Sequence, residues 1–375
     1  VVDLATKSLL HDKLRFLITV SGVAFAVTLV FVQVGLFLGL LDNASVTIDH
    51  IDADLWVTSR NTPNIDFAHT FPETAVQRVR SVPGVARADN LIVWFMTVTL
   101  PSGAQEGTLV YALEDFRRWN IPWKVETGNL EDLKRGQYFF LDASAVKRFG
   151  EFRAGEYREI LGQRMKIIGR SKDALSFATT PISFMDFDRA QKVSPQQLKN
   201  RTTYILVKLE PGADASAVRA EIARRLPYND VYTRKEWAAR SRSYWIQSTG
   251  IGLNMYLTVF LGCLVGVVVV AQTLYTSTME HIKEFGTVKA IGGGNRDIYR
   301  ILAKQASIAA VAGFVLGALM ACTLRPAILK IHLKLIIPPA FAAIVLAGSV
   351  VMCLAAAMIS FRKVASIDPA LVFRG

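Results

Sequence analysis

Four stretches of this chain carry no charged side chain: Phe16 to Leu41, Gly250 to Met279, Gln305 to Leu324 and Leu335 to Phe361. Each exceeds the roughly 18 apolar residues that mark a membrane-crossing helix, because about 20 residues at 1.5 Å each cover a ~30 Å hydrocarbon core. The fold class that follows is a membrane protein: four transmembrane α-helices, with a large extracytoplasmic α+β domain inserted between the first and second. A hydrophobic share of 51% and a mean hydropathy of +0.31 agree. The segments are then spans at 16–41, 249–279, 305–324 and 335–361, an outer domain at 42–248, a polar loop at 280–304, a short outer loop at 325–334 and a tail at 362–375.

Lysine and arginine near the span ends set the orientation. Lys7, Lys13 and Arg15 precede the first span, Lys283, Lys289, Arg296, Arg300 and Lys304 lie between the second and third, and Arg362, Lys363 and Arg374 follow the fourth. These sets share one face, which the positive-inside rule makes cytoplasmic; Arg325, Lys330 and Lys334 oppose it but are fewer. Both termini are expected on the cytoplasmic side of the membrane. Val1 to Arg15 has Leu4, Leu9, Leu10 and Leu14 beside charged neighbours and reads as an amphipathic helix lying in the interface. The apolar run after it is too long for a signal-peptide core and lacks an A-x-A site, so it reads as an anchor.

The loop between the second and third spans contains a short amphipathic pattern. His281 to Ala290 has no proline, places Ile282, Phe285 and Val288 at three-residue spacing, and ends near Gly292-Gly293-Gly294. Its mixed charge, Glu280 and Glu284 against Lys283 and Lys289, suits a groove on a protein better than an anionic lipid surface. A helix packed on its own membrane segments has the same pattern.

The outer domain opens with a strand over Ala53 to Ser59, a helix from Pro72 to Ser81 and one long or two short strands over Val85 to Leu100. A second unit of the same shape closes it: a strand over Thr203 to Leu209, a helix over Asp214 to Leu226 and a strand over Asp230 to Thr233. Between them, residues 113–194 read as an inserted second lobe rich in β structure. Within the spans, Gly262 with Gly266 and Gly313 with Gly317 form small-xxx-small pairs that let helix backbones meet, within one subunit or between two.

Several chemistries lack their residues. No G-x-x-x-x-G-K-[ST] is present, so the chain binds no ATP through a P-loop of its own. The five histidines show no metal spacing, and His50 with Asp49 and Asp52 reads as a solvated stretch leaving the membrane. No G-x-S-x-G marks a nucleophile, and neither a catalytic residue nor a metal site is expected. Cys263, Cys322 and Cys353 all fall inside spans and cannot staple the outer domain. The net charge of +12 does not point to nucleic acid, because the outer domain balances 29 basic against 25 acidic residues without a basic run. No Asp, Glu, Lys, Arg or His lies within a span, which weighs against a proton relay or ion-coupled carrier.

The order of these parts resembles the FtsX/MacB-type permeases of ABC transporters. Lys283-Glu284-Phe285-Gly286-Thr287-Val288-Lys289-Ala290-Ile291-Gly292 is similar to the family's loop signature, with Lys283 where arginine is usual and Val288 where a longer side chain is. Ile367-Asp368-Pro369-Ala370-Leu371-Val372-Phe373-Arg374 is similar to the family's ending. The N-terminal LLHDKLRFLIT and the DADLWV that opens the outer domain look most like the DevC-like exporters, whose relatives include haem exporters.

The resemblance implies a homodimeric or pseudo-dimeric permease, with ATP and Mg bound only by a separate cytoplasmic ABC ATPase. His281 to Gly292 would be the coupling helix that docks on that ATPase. Closure of the ATPase would pass through the spans to the outer domains and move a lipophilic or amphiphilic substrate, with a periplasmic adaptor and an outer-membrane duct as further partners. Cell-division members of the family imply the alternative, a signal transducer that regulates a cell-envelope hydrolase. The larger outer domain here favours export.

Overall fold

The computed structural model describes residues 13–178, 180–280, 287, 294–330 and 333–365. The interfacial helix expected over 1–15 and the closing motif over 367–374 therefore lie almost wholly outside the described residues. The described chain divides into two compact units, one formed by residues up to Gly39 and from Leu253 onward, the other by Leu40–Gly252.

Helix α1 (Lys13–Asn43) is 31 residues long, about 46 Å at 1.5 Å per residue, so it covers the hydrocarbon core with turns to spare. After a two-residue turn comes the short helix α2 (Val46–His50), then β1 (Leu55–Ser59) and β2 (Phe71–Pro72). Helix α3 (Ala75–Arg80) follows, shorter than the helix expected from Pro72. Pro72 is instead paired with Arg201, so the helix waits for Ala75. The region expected as one or two strands is a single 15-residue strand, β3 (Val85–Thr99), followed by β4 (Gln105–Leu113).

Residues 113–194, expected as a second lobe, contribute β5 (Val125–Thr127), β6 (Tyr138–Asp142), β7 (Tyr157–Ile160), β8 (Gln163–Ser171) and β9 (Ile182–Asp186). These strands extend the sheet of the first lobe, since β9 pairs in parallel with β4 and β6 pairs with β9. The domain closes with β10 (Arg201–Thr202), β11 (Tyr204–Leu209), α4 (Ala215–Arg225), β12 (Asn229–Thr233) and α5 (Arg234–Gln247). Along the ten-stranded sheet the order is β12-β1-β11-β3-β4-β9-β6-β8-β5, with β7 on β3 and β8. Strand β1 lies between β11 and β12 and is antiparallel to both, so the two strand-helix-strand units interlock.

Alternation along the strands divides the core between the two sheet faces. Trp56, Leu91, Val93, Tyr111, Tyr204 and Leu206 point to one face and pack with Ile48 of α2 and Trp237 of α5. Their neighbours Leu55, Val57, Ile205 and Val207 point to the other, where they meet Val76 and Val79 of α3 and Val218 and Ile222 of α4. Helix α4 begins where the Asp214 side chain accepts the Ser216 N–H, and α5 begins with a reciprocal cap between Thr233 and Glu236.

The other unit joins α1 to α6 (Ile251–Glu280), α7 (Asn295–Lys330) and α8 (Pro339–Ala365). All four are long and apolar enough to cross a membrane. Two boundaries differ from expectation. Helix α7 continues through Pro326 to Lys330, so much of the expected outer loop is helical. The last span starts at Pro339 and not at Leu335, because a residue before proline is driven to extended geometry while proline suits the first helical turn. The bundle core is small and apolar, with Val23, Val27, Val270, Leu302, Ala310 and Cys353 meeting, and Phe31 lying edge-on to Phe341 at 5.7 Å.

Candidate functional site

Of the loop residues expected to couple to a partner, His281, Ile282, Lys283, Glu284, Phe285, Gly286, Val288, Lys289, Ala290, Ile291 and Gly292 lie outside the described residues. Thr287 alone in that loop pattern is described; it is helical and exposed. The span glycines are all described, and each faces another helix of its own chain. A Cβ on Gly262 would lie 2.8 Å from Leu29 Cδ2, one on Gly266 2.9 Å from Ala26 Cβ, and one on Gly313 2.5 Å from Val23. On Gly317 it would meet the Ala24 carbonyl oxygen at 2.8 Å. All four therefore let α6 or α7 approach α1.

A third pair belongs with these: Gly35 and Gly39 on α1. The extended residues 333–338 run alongside, with the Ile336 N–H donating to Gly35 O at 3.1 Å. A Cβ on Gly39 would overlap the Lys334 carbonyl oxygen, so only glycine permits the approach. The G-x-x-x-G spacing was available in the sequence as the signal for it.

The outer domain is tied together where the chain enters it and leaves it. Helix α5 turns Trp237, Ala238, Ser241 and Trp245 inward at the spacing of a single helical face. Ser241 is fully buried, and its hydroxyl donates to the Ala44 carbonyl at 2.8 Å, an acceptor just past the last turn of α1 with no partner within that helix. Arg242 donates to Ser45 Oγ at 2.6 Å and lies 3.4 Å from Asp49, while Ser45 donates to Asp49 at 2.8 Å. The Arg242–Asp49 pair is solvated and contributes little, so the buried Ser241 bond, at about 1 kcal/mol, and the packing around it carry the attachment. One step further in, Lys208 bonds Asp52 at 2.5 Å and lies 3.4 Å from Asp54. The hydrogen bond to Asp52 raises the Lys208 ammonium above its ordinary value. No local pattern in the sequence announces this clasp, because Ser241 and Ala44 are far apart in the chain.

Beside the clasp is an aromatic ledge. Phe67 and Phe95, 42% and 43% exposed, have rings 6.3 Å apart, and Phe67 stands edge-on to Tyr244 at 6.0 Å. Behind them Phe177 stacks flat on Trp245 at 4.0 Å. In the membrane unit an apolar hollow of about 280 Å³ opens between α1, α6 and α8, lined by Ala26, Val30, Val259, Val345 and Met352 with Cys263 and Ser349. Among the described residues no group of three His, Cys, Asp or Glu could hold a metal ion.

Comparison with known proteins accounts for both units. Residues 16–225 match the MacB-like periplasmic core domain and residues 256–369 the FtsX-like permease C-terminal region. An uncharacterized ABC transporter permease of Mycobacterium tuberculosis is 23% identical over 379 residues, covering 99% of both chains. Another, from Mycobacterium bovis, is 24% identical over 369 residues, covering 97% of this chain and 96% of its own. Among solved structures, the periplasmic region of MacB from Actinobacillus actinomycetemcomitans aligns with a TM-score of 0.41 at 12% identity, over 50% of this chain and 92% of that one. The extracellular domain of YknZ from Gram-positive bacteria aligns at 0.37 with 18% identity, over 48% and 99%.

Proposed function

Because the chain belongs to the FtsX/MacB-type permeases of ABC transporters, we propose that it transmits ATP hydrolysis on a separate cytoplasmic ATPase to its outer domain, and so moves a lipophilic or amphiphilic substrate. The clasp between α5 and the turn joining α1 to α2 is the observation that carries this reading: Ser241 and Arg242, just before one span, grip Ala44 and Ser45, just after another. Forces arriving along two spans therefore meet at one buried joint and act on the domain together. Uncharged spans suit such levers better than a polar conduit. Exposed Phe67 and Phe95, together with the apolar hollow, suit a substrate with a hydrocarbon part and not a hydrophilic one.

In this reading the subunit is not itself an enzyme, and it binds neither ATP nor Mg. It acts as one of two copies in a bacterial inner membrane, with both termini cytoplasmic, and engages a periplasmic adaptor and an outer-membrane duct. Labelling tests the orientation. In a Cys-free background, a cysteine at Ser102 should react with an impermeant thiol reagent from outside, and one at Asn295 should not; the reverse pattern removes the topology on which the mechanism depends. Co-purification then separates export from the regulation of a cell-envelope hydrolase. Recovery of an adaptor supports export, and recovery of a hydrolase in its place supports the transducer.

A further inference from the structure

The end of helix α7 carries basic residues with no acid to answer them. From Ile298 to Ile367 the sequence holds no Asp or Glu, yet Arg325 and Lys330 stand exposed on the last turns of α7. Neither has an ion-pair partner among the described residues. The Leu333 N–H turns back to the Ile328 carbonyl at 3.3 Å, and the Lys334 carbonyl then lies against Gly39 of α1. This end of α7 is therefore the end at which α1 hands the chain to the outer domain. Lysine and arginine are ordinarily concentrated on the opposite face, so the pair runs against the bias that orients the chain.

An apolar stripe leads up to these cations. Val315, Leu319 and Leu329, 51%, 59% and 52% exposed, share one face of α7, because their spacings return to nearly the same side at 3.6 residues per turn. Arg325 falls about 80° to one side of that stripe and Lys330 about 60° to the other, so the two cations flank Leu329. From Val315 to Arg325 the helix rises about 15 Å, half of a ~30 Å hydrocarbon core. The stripe thus has the length of one leaflet and ends in a forked positive charge. Lys334 is not counted with the pair, because Asp42 stands one turn beyond Gly39 on α1.

We propose that Arg325 and Lys330 bind the phosphate of an anionic phospholipid in the leaflet on the outer domain's side, with Val315, Leu319 and Leu329 against its acyl chain. Charge selects the occupant: two cations without an acid gain little from a zwitterionic headgroup, whose own ammonium offsets its phosphate. A soluble protein cannot reach a stripe that lies in hydrocarbon, and a free phosphate leaves that stripe unused. Arginine supplies a planar fork for two phosphate oxygens, and lysine a point charge on a flexible stem. Ordinary snorkelling of basic side chains to the interface differs, because it selects no particular headgroup. The site depends neither on the ATPase nor on which face of the membrane the outer domain occupies.

Lipid quenching beside the site tests it. The full chain, with Cys263 and Cys353 replaced, carries a fluorophore on exposed Cys322, three residues before Arg325, in nanodiscs of phosphatidylcholine. Nitroxide-labelled phosphatidylglycerol and phosphatidylcholine, matched in acyl chains, are compared at equal mole fraction. Each basic side chain near an anionic headgroup contributes about fivefold, so phosphatidylglycerol should be enriched at the fluorophore about 25-fold over its bulk share. The enrichment should shrink as salt shortens the ~10 Å screening length of 0.1 M. Arg325→Gln or Lys330→Gln should each remove about fivefold, and the double variant should treat the two lipids alike. Arg325→Lys with Lys330→Arg should keep most of the preference. Quenching by phosphatidylcholine, unchanged across the set, reports that α7 remains in the bilayer. Three results overturn the proposal: equal quenching by the two lipids in the wild type, a preference that survives in the double glutamine variant, or loss of the preference to millimolar inorganic phosphate at constant ionic strength, the mark of a free-anion site.

Discussion

Gly39→Leu should leave little stable permease in the membrane, whereas Gly348→Leu should be tolerated. The two glycines differ in what a side chain would meet: at Gly39 the new Cβ would overlap the Lys334 carbonyl oxygen, and at Gly348 nothing lies within 4 Å. A backbone carbonyl cannot rotate aside as a flexible side chain can. The chain at 333–338 must therefore lift off α1, losing the Ile336 bond to Gly35 and exposing Leu335, which is 3% exposed. Overpacking alone costs about 1–3 kcal/mol, and this clash lies at or beyond the top of that range. The yield and thermal midpoint of detergent-extracted protein decide the matter. Equal stability of the two variants would show that residues 333–338 do not lie along α1.

Phe285→Ala should lose the cognate ATPase on purification while remaining folded and inserted. Phe285 is the largest apolar residue of the amphipathic loop pattern, with Gly286 beside it to let a partner surface come close. Removing a buried aromatic anchor costs at least ~2 kcal/mol, a factor of roughly 30 in affinity. Glu284 and Lys289 would lie nearer the rim, with single changes that matter less and fade as salt rises. Equal recovery of the ATPase by wild type and Phe285→Ala, at matched expression, would favour a helix packed on its own spans.

The parts of this molecule visible in its sequence are those set by local pattern. Uncharged runs marked four spans, and apolar runs of strand length bounded by turn residues marked β3 and β11, whose middle residues are buried on both faces of the sheet. What the sequence left hidden depends on residues distant in the chain. Pro72 opened an apparent helix, yet its pairing with Arg201 keeps it extended. The parallel pair of β4 with β9 has no hairpin between its strands to announce it, so residues 113–194 read as a separate lobe although their strands continue the first lobe's sheet. Ser241 looked like any small residue of a polar helix, and only the fold brings it to Ala44. Asn64 lay among the polar residues of a loop, and nothing nearby in the sequence signals that the Tyr204 hydroxyl, from the far end of the domain, reaches its carbonyl.

The central claim is that ATP turnover on a separate subunit moves the outer domain, and a spin-label distance tests it most directly. Cys322 is exposed on α7 and can be kept as one label site, with Cys263 and Cys353 replaced and a second cysteine placed at Ser102. In nanodiscs with the cognate ATPase, trapping the nucleotide state with ATP and vanadate should shift the distance distribution between the two labels. Ser241→Val with Arg242→Ala should retain the ATPase and its turnover but lose most of that shift, because the clasp is broken while the loop is intact. A distribution that stays the same with and without trapped nucleotide, while the bound ATPase turns over, would contradict the account.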